Sequence, residues 1–87
     1  MTKHKRPDRS TPRAALVKWI DANSVGPGWE EIGTLPPLEP VHCVSVGFVL
    51  EEEGDTVVLA QTVGDTAVCS RICIPRGCIK SMKTLNF

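Results

Sequence analysis

Apolar and polar residues alternate through most of the second half of the chain. In residues 41–52 the alternation defines two strand faces. The more apolar face, which we expect to lie in the core, contains Val44, Val46, Phe48 and Leu50. Residues 56–62, 67–74 and 79–85 follow with the same two-residue period. The stretches 53–55 and 64–65 contain Gly54 and Gly64 and separate the first three segments as turns, so the pattern predicts an antiparallel meander of four strands.

A helical period precedes the meander. Ser10 or Thr11 can cap a helix and Pro12 suits its first turn, because a proline there loses no hydrogen bond. Leu16, Trp19 and Ile20 then follow at i, i+3 and i+4, which predicts a helix over 12–23 with these residues on one face. Residues 1–10 are polar and read as a flexible basic arm. Residues 33–40 contain three prolines and read as an extended connector.

The expected fold class is mainly β, of the α+β kind. It consists of an N-terminal helix followed by a strongly bent antiparallel meander in residues 41–85. We expect the meander to close into a small barrel, because closure removes strand edges that would otherwise pair between molecules. Residues 11–87 form a single domain in this reading, with the arm outside it.

Two resemblances refine this expectation. The stretch Cys73-Ile74-Pro75-Arg76-Gly77-Cys78-Ile79 is similar to the segment that joins the last two strands through a single helical turn in Sm-like and SH3-like small barrels. The chain also resembles short proteins of tailed bacteriophages over residues 29–32, 44–49, 58–61 and 74–79. The first resemblance implies the barrel and RNA binding. The second implies a non-enzymatic accessory role, such as binding a host protein or capturing a nucleotide signal of host defence.

Size and charge bear on the partners. A chain of 87 residues buries only about 60% of its unfolded surface, so we expect a homo-oligomer, with any ligand pocket between subunits. The formal net charge of zero hides three blocks: +4 in residues 1–24, −7 in 25–60 and +3 in 61–87. Polyanion partners are therefore not excluded, and they would contact the two ends.

The candidate binding residues form two groups. A nucleic-acid or phosphate site is predicted at Arg71, Arg76, Lys80 and Lys83, and a plain solvated patch is the alternative. A subunit interface is predicted at Leu16, Trp19, Ile20 and Trp29, and core packing is the alternative for the two tryptophans.

Cysteine chemistry is the remaining candidate. Cys43, Cys69, Cys73 and Cys78 lack the short Cys-x2-Cys spacing typical of structural zinc sites. We favour free buried thiols, with a disulfide or a metal as alternatives. His42 and Cys43 are strand neighbours and point to opposite faces, so no cysteine hydrolase, other catalytic residue or cofactor is predicted.

The sequence thus predicts a non-enzymatic, homo-oligomeric binding module of phage type, with RNA or another nucleic acid as the first ligand. The alternatives are sequestration of a nucleotide signal at a subunit interface and inhibition of a host protein. Free thiols favour the cytoplasm, and no apolar run is long enough to span a membrane.

Overall fold

Five antiparallel strands form one sheet in the computed structural model, which describes residues 12–86. The arm predicted for residues 1–10 lies outside the described residues. The strands, in chain order, are β1 (Ala14–Asp21), β2 (Val41–Glu51), β3 (Thr56–Val63), β4 (Val68–Pro75) and β5 (Ile79–Leu85). Their order across the sheet is β4-β3-β2-β1-β5. Two short 3-10 turns, Ile32–Thr34 and Arg76–Cys78, complete the described elements.

The helix predicted over 12–23 is wrong, because these residues form β1. This strand lies between β2 and β5 and pairs with both, so its backbone groups have partners on two sides. A helix of about three turns is marginal in water, and pairing within a sheet outweighs its weak local preference. Ala15, Val17 and Trp19 point to the core, so the two-residue period decides the element. The fold is therefore all-β, and the α+β expectation is corrected.

The four strands predicted for residues 41–85 are present as β2 to β5, but only β2, β3 and β4 form a meander. The fourth strand, β5, pairs with β1 instead of β4, so the expected four-strand meander is corrected. Gly54 has a φ of 71° in the turn between β2 and β3, a conformation that glycine adopts without steric cost. The single turn expected between the last two strands is the 3-10 turn Arg76–Cys78. β4 and β5 are the two edges of the sheet, and no ladder joins them among residues 12–86.

The core lies on the concave side of the sheet. Its buried cluster contains Ala15, Val17, Val57, Leu59 and Ile74. Trp19, Val49, Cys78, Ile79 and Met82 pack against the cluster and are partly buried. Because β4 and β5 lie at opposite edges and both contribute to one cluster, the sheet must bend around it.

The core face expected for β2 is also wrong. Val44 and Val46 are 61% and 60% exposed, whereas Gly47 and Val49 lie on the core side. A Cβ atom on Gly47 would lie 3.0 Å from the carbonyl oxygen of Ala60 and 3.1 Å from the Cβ of Leu59. The bend therefore brings β2 so close to β3 that a small residue is needed, and the bulky side chains point outward.

Candidate functional site

The most exposed apolar residues lie in the connection between β1 and β2, which we call the β1–β2 loop (residues 22–40). All of its residues are exposed. Trp29 has a relative exposure of 103% and Ile32 of 88%. Val25, Leu35 and Leu38 are also exposed large hydrophobic residues. A soluble domain normally covers such side chains, so the loop is a candidate binding element.

The loop is held at its base. Asp21 pairs with Val41 as the last pair of the β1–β2 ladder. The side-chain amide of Asn23 donates to the carbonyl oxygen of Glu39 over 2.9 Å, which ties the two arms of the loop together. The 3-10 turn Ile32–Thr34 follows Trp29 in the loop.

The proline-rich part of the loop begins with an extended backbone. Leu35 has φ and ψ of −63° and 125°, close to polyproline II values, and no regular element occurs in residues 35–40. The loop contains Glu30, Glu31 and Glu39 and no lysine or arginine. It is therefore apolar and acidic at once.

The second candidate surface is the side of β1, β2 and β5 that points away from the core. Leu16 lies between Val46 of β2 and Lys83 of β5, and Lys18 lies beside Val44. Residues directly opposite in an antiparallel ladder place their side chains on the same face. We call this surface the outer face and define it by Leu16, Lys18, Ile20, Val44, Val46 and Lys83.

The outer face ends at Phe48. This residue is opposite Ala14 on one side and Ala60 on the other, and both alanines are buried. Phe48 itself is half-buried, which is consistent with its ring covering the two small side chains. The aromatic ring is thus engaged locally, and Val44 and Val46 form the exposed part of the face.

The four predicted phosphate-binding cations do not form a single patch. Arg76 uses its guanidinium to donate to the carbonyl oxygens of Gly54 (2.9 Å) and Glu52, and so fixes the β2–β3 turn. Arg71 lies on β4, at the edge of the sheet opposite β5. Lys80 and Lys83 are exposed on β5, near Lys18 of the neighbouring strand.

The four predicted interface residues do not lie on one surface either. Leu16 and Ile20 lie on the outer face, and Trp29 lies in the β1–β2 loop. Trp19 points to the core side, where its indole N–H donates to the hydroxyl oxygen of Ser45 over 3.0 Å. Sequence reasoning missed Val44 and Val46 as surface residues. Gly47 is the residue that could have indicated this, because a glycine marks its own face of β2, and not the face of the valines, as the one that approaches β3 closely.

The cysteines are free thiols. Cys69 and Cys73 are exposed on β4, and Cys43 and Cys78 are half-buried, so full burial of all four is not observed. Within residues 12–86 no group of three or more His, Cys, Asp or Glu side chains is placed to hold a metal ion.

Two open grooves lie on the described surface. The larger, of about 530 Å³, contains Arg13 and the three glutamates at 51–53, and Arg13 pairs with Glu52. The excess of carboxylates disfavours a phosphate-bearing ligand there. The smaller, of about 280 Å³, lies between β2, β3 and β4, beside Ser45, Gln61 and Ser70.

The described part of the chain contains no helix long and apolar enough to cross a membrane. No family model, no curated protein and no solved structure matches this chain.

Proposed function

We propose that the protein is a non-enzymatic, homo-oligomeric binding module. The observation that carries the proposal is the full exposure of Trp29 in a loop whose other large apolar side chains are also uncovered. Removing apolar surface from water is favourable by about 25 cal/mol per Å², and the part of this that exceeds the entropy cost of association stabilises an assembly. A tryptophan is the residue with the most such surface to cover, and it is common at interface hot spots.

The size of the core supports the same proposal. The buried cluster contains five residues, two of which have fully buried side chains as large as leucine or isoleucine, Leu59 and Ile74. A domain this small gains stability when it shares surface with another copy. Self-association therefore provides both a binding function and part of the stability of the fold.

The proposal includes a cytoplasmic location, because four free thiols, two of them exposed, persist in a reducing compartment. RNA binding at Arg71, Arg76, Lys80 and Lys83 stays a prediction with its own test, although these four residues do not form a single patch. Binding of a labelled single-stranded RNA should weaken steeply as salt rises, because phosphate contacts release counterions. Binding that does not respond to salt would contradict it.

Native mass spectrometry and light scattering, applied across a wide dilution series, test self-association directly. We expect a dimer or a larger assembly that dissociates on dilution. A protein that stays monomeric at the highest concentration that can be reached would overturn the proposal. The same spectra would show any ligand that is retained with the protein.

A further inference from the structure

We infer that the β1–β2 loop of one copy docks on the outer face of a second copy, and that the second copy does the same in return. This inference rests on the proposed self-association and specifies its geometry. Both surfaces belong to this chain, and each lies uncovered in the single chain. The occupant of the outer face is thus the loop of another copy.

The apolar residues of the two surfaces suit each other. The loop offers Trp29 and Ile32 near its tip, both almost fully exposed. The outer face offers Val44 and Val46, exposed by about three fifths, with Leu16 beside them. An exposed sheet surface of branched aliphatic side chains gives a large aromatic ring a broad contact area. The two surfaces together bury the four most exposed large apolar side chains among residues 12–86.

The charges of the two surfaces are opposite. The loop contains Glu30, Glu31 and Glu39 and no basic residue. The outer face places Lys18 and Lys83 around Leu16. Among residues 12–86 the ion pair observed joins Arg13 to Glu52, so these lysines and glutamates remain available to a second copy. Complementary charge favours this pairing and disfavours loop-to-loop or face-to-face contact.

The size of the loop fits the role. Its arms start at the Asp21–Val41 pair, so each arm has about nine residues and a reach of at most roughly 30 Å. The outer positions of β1, from Leu16 to Ile20, span about 13 Å. A loop held at its base can therefore cover the corresponding face of a neighbouring molecule.

The number of residues also fits a stable dimer. Nineteen loop residues and the six residues of the outer face give each copy 25 interface residues at most. A standard interface uses about 20–30 residues on each side. Because each copy gives a loop and receives one, the contact is reciprocal and has two-fold symmetry. This closure limits the assembly to a dimer at this interface.

A charge-exchange experiment tests the inference on the full-length protein. The loop variant carries Glu30→Lys and Glu31→Lys, and the face variant carries Lys18→Glu and Lys83→Glu. In each variant alone, both reciprocal contacts bring like charges together, and we expect the dimer dissociation constant to rise about tenfold or more. In an equimolar mixture both contacts have opposite charges again. The mixed dimer should therefore form with nearly the wild-type dissociation constant.

Two further variants make the result decisive. Trp29→Ala leaves the sheet untouched and should weaken the dimer by about tenfold or more. Glu53→Lys with Asp65→Lys is the control matched to the loop variant, because it makes the same change in net charge at two turns outside both surfaces. It should leave the dissociation constant unchanged. Circular dichroism confirms that each variant keeps its sheet.

The outcomes separate the two proposals. A wild-type protein that dimerises while the loop variant, the face variant and Trp29→Ala all dimerise equally well would overturn the docking geometry and leave the proposed function standing. Weakened single variants without recovery in the mixture would also overturn the reciprocal contact. A monomeric wild-type protein would overturn both.

Discussion

Replacing Gly47 by alanine tests how tightly the bent sheet is packed. The new Cβ would lie 3.0 Å from the carbonyl oxygen of Ala60 and 3.1 Å from the Cβ of Leu59. Both distances are shorter than an ordinary van der Waals contact. Leu59 and Ala60 are each only 1% exposed, and Ala60 pairs with Phe48 across the ladder, so neither neighbour can move easily.

The expected loss of stability is the difference between two effects. Forcing an extra methyl group into a packed site costs about 1–3 kcal/mol. A glycine-to-alanine change also lowers the conformational entropy of the unfolded chain, which stabilises the folded state by about 0.4–1 kcal/mol. We therefore expect Gly47→Ala to lower the free energy of unfolding by about 1–2 kcal/mol, which in a domain of this size lowers the Tm by roughly 4–16 °C.

Urea unfolding followed by circular dichroism measures this change. The protein concentration must be the same for all variants and low enough to keep them monomeric, because self-association raises the apparent stability. Gly33→Ala is the matched control, since a Cβ there meets nothing within 4 Å. An unchanged stability of Gly47→Ala, or an equal loss in Gly33→Ala, would show that β2 and β3 are not in close contact.

Three other predictions concern two side-chain hydrogen bonds and the exposure of the cysteines. Arg76→Ala removes the bonds to the carbonyl oxygens of the β2–β3 turn and should cost about 1 kcal/mol in urea unfolding, whereas Arg71→Ala should change the free energy of unfolding by less than about 0.5 kcal/mol. An equal effect of both would contradict the assigned contact. Trp19→Phe keeps the ring in the core but loses the bond to Ser45, and should cost about 1 kcal/mol; Trp29→Phe, measured on the monomer, should be neutral. In a thiol-labelling time course we expect two fast and two slow reactions, the fast ones at Cys69 and Cys73, and four equal rates would rule out the exposure pattern.

Sequence reasoning identified the strands of residues 41–85 because their two-residue period and their glycine turns are local signals. It also ended the third of these strands at Pro75, the last residue of β4, whereas the helical turn that follows was implied only by the resemblance to small barrels. These features depend on near neighbours in the chain. They could therefore be predicted without knowledge of the tertiary structure.

The prediction for the first strand was wrong because its structure depends on residues that are distant in the sequence. Residues 14–21 satisfy two periods, since Leu16 and Ile20 fit a helix face while Ala15, Val17 and Trp19 fit a strand face. The choice depends on β2 and β5, which are distant in the sequence and provide hydrogen-bond partners on both sides. No local propensity contains that information.

The prediction of which face of β2 is buried was wrong, because the more apolar face was assumed to lie in the core. In the folded chain, the small side of β2 faces the core, and Val44 and Val46 face outward. The candidate site was therefore only partly predictable. Leu16, Ile20 and Trp29 were identified, but the valines that complete the outer face were assigned to the core.

The pairing of β1 with β2 directly below the β1–β2 loop has a consequence for how this protein can change. Because Asp21 and Val41 already form a ladder pair, the sheet closes beneath the loop without help from the residues beyond it. Residues 22–40 thus behave as an insertion at the end of a hairpin, and their length and composition can vary without cost to the five-stranded scaffold. A change in the loop can therefore alter the proposed docking contact while the scaffold still folds, whereas a change in the outer face, which lies on β1, β2 and β5, affects both.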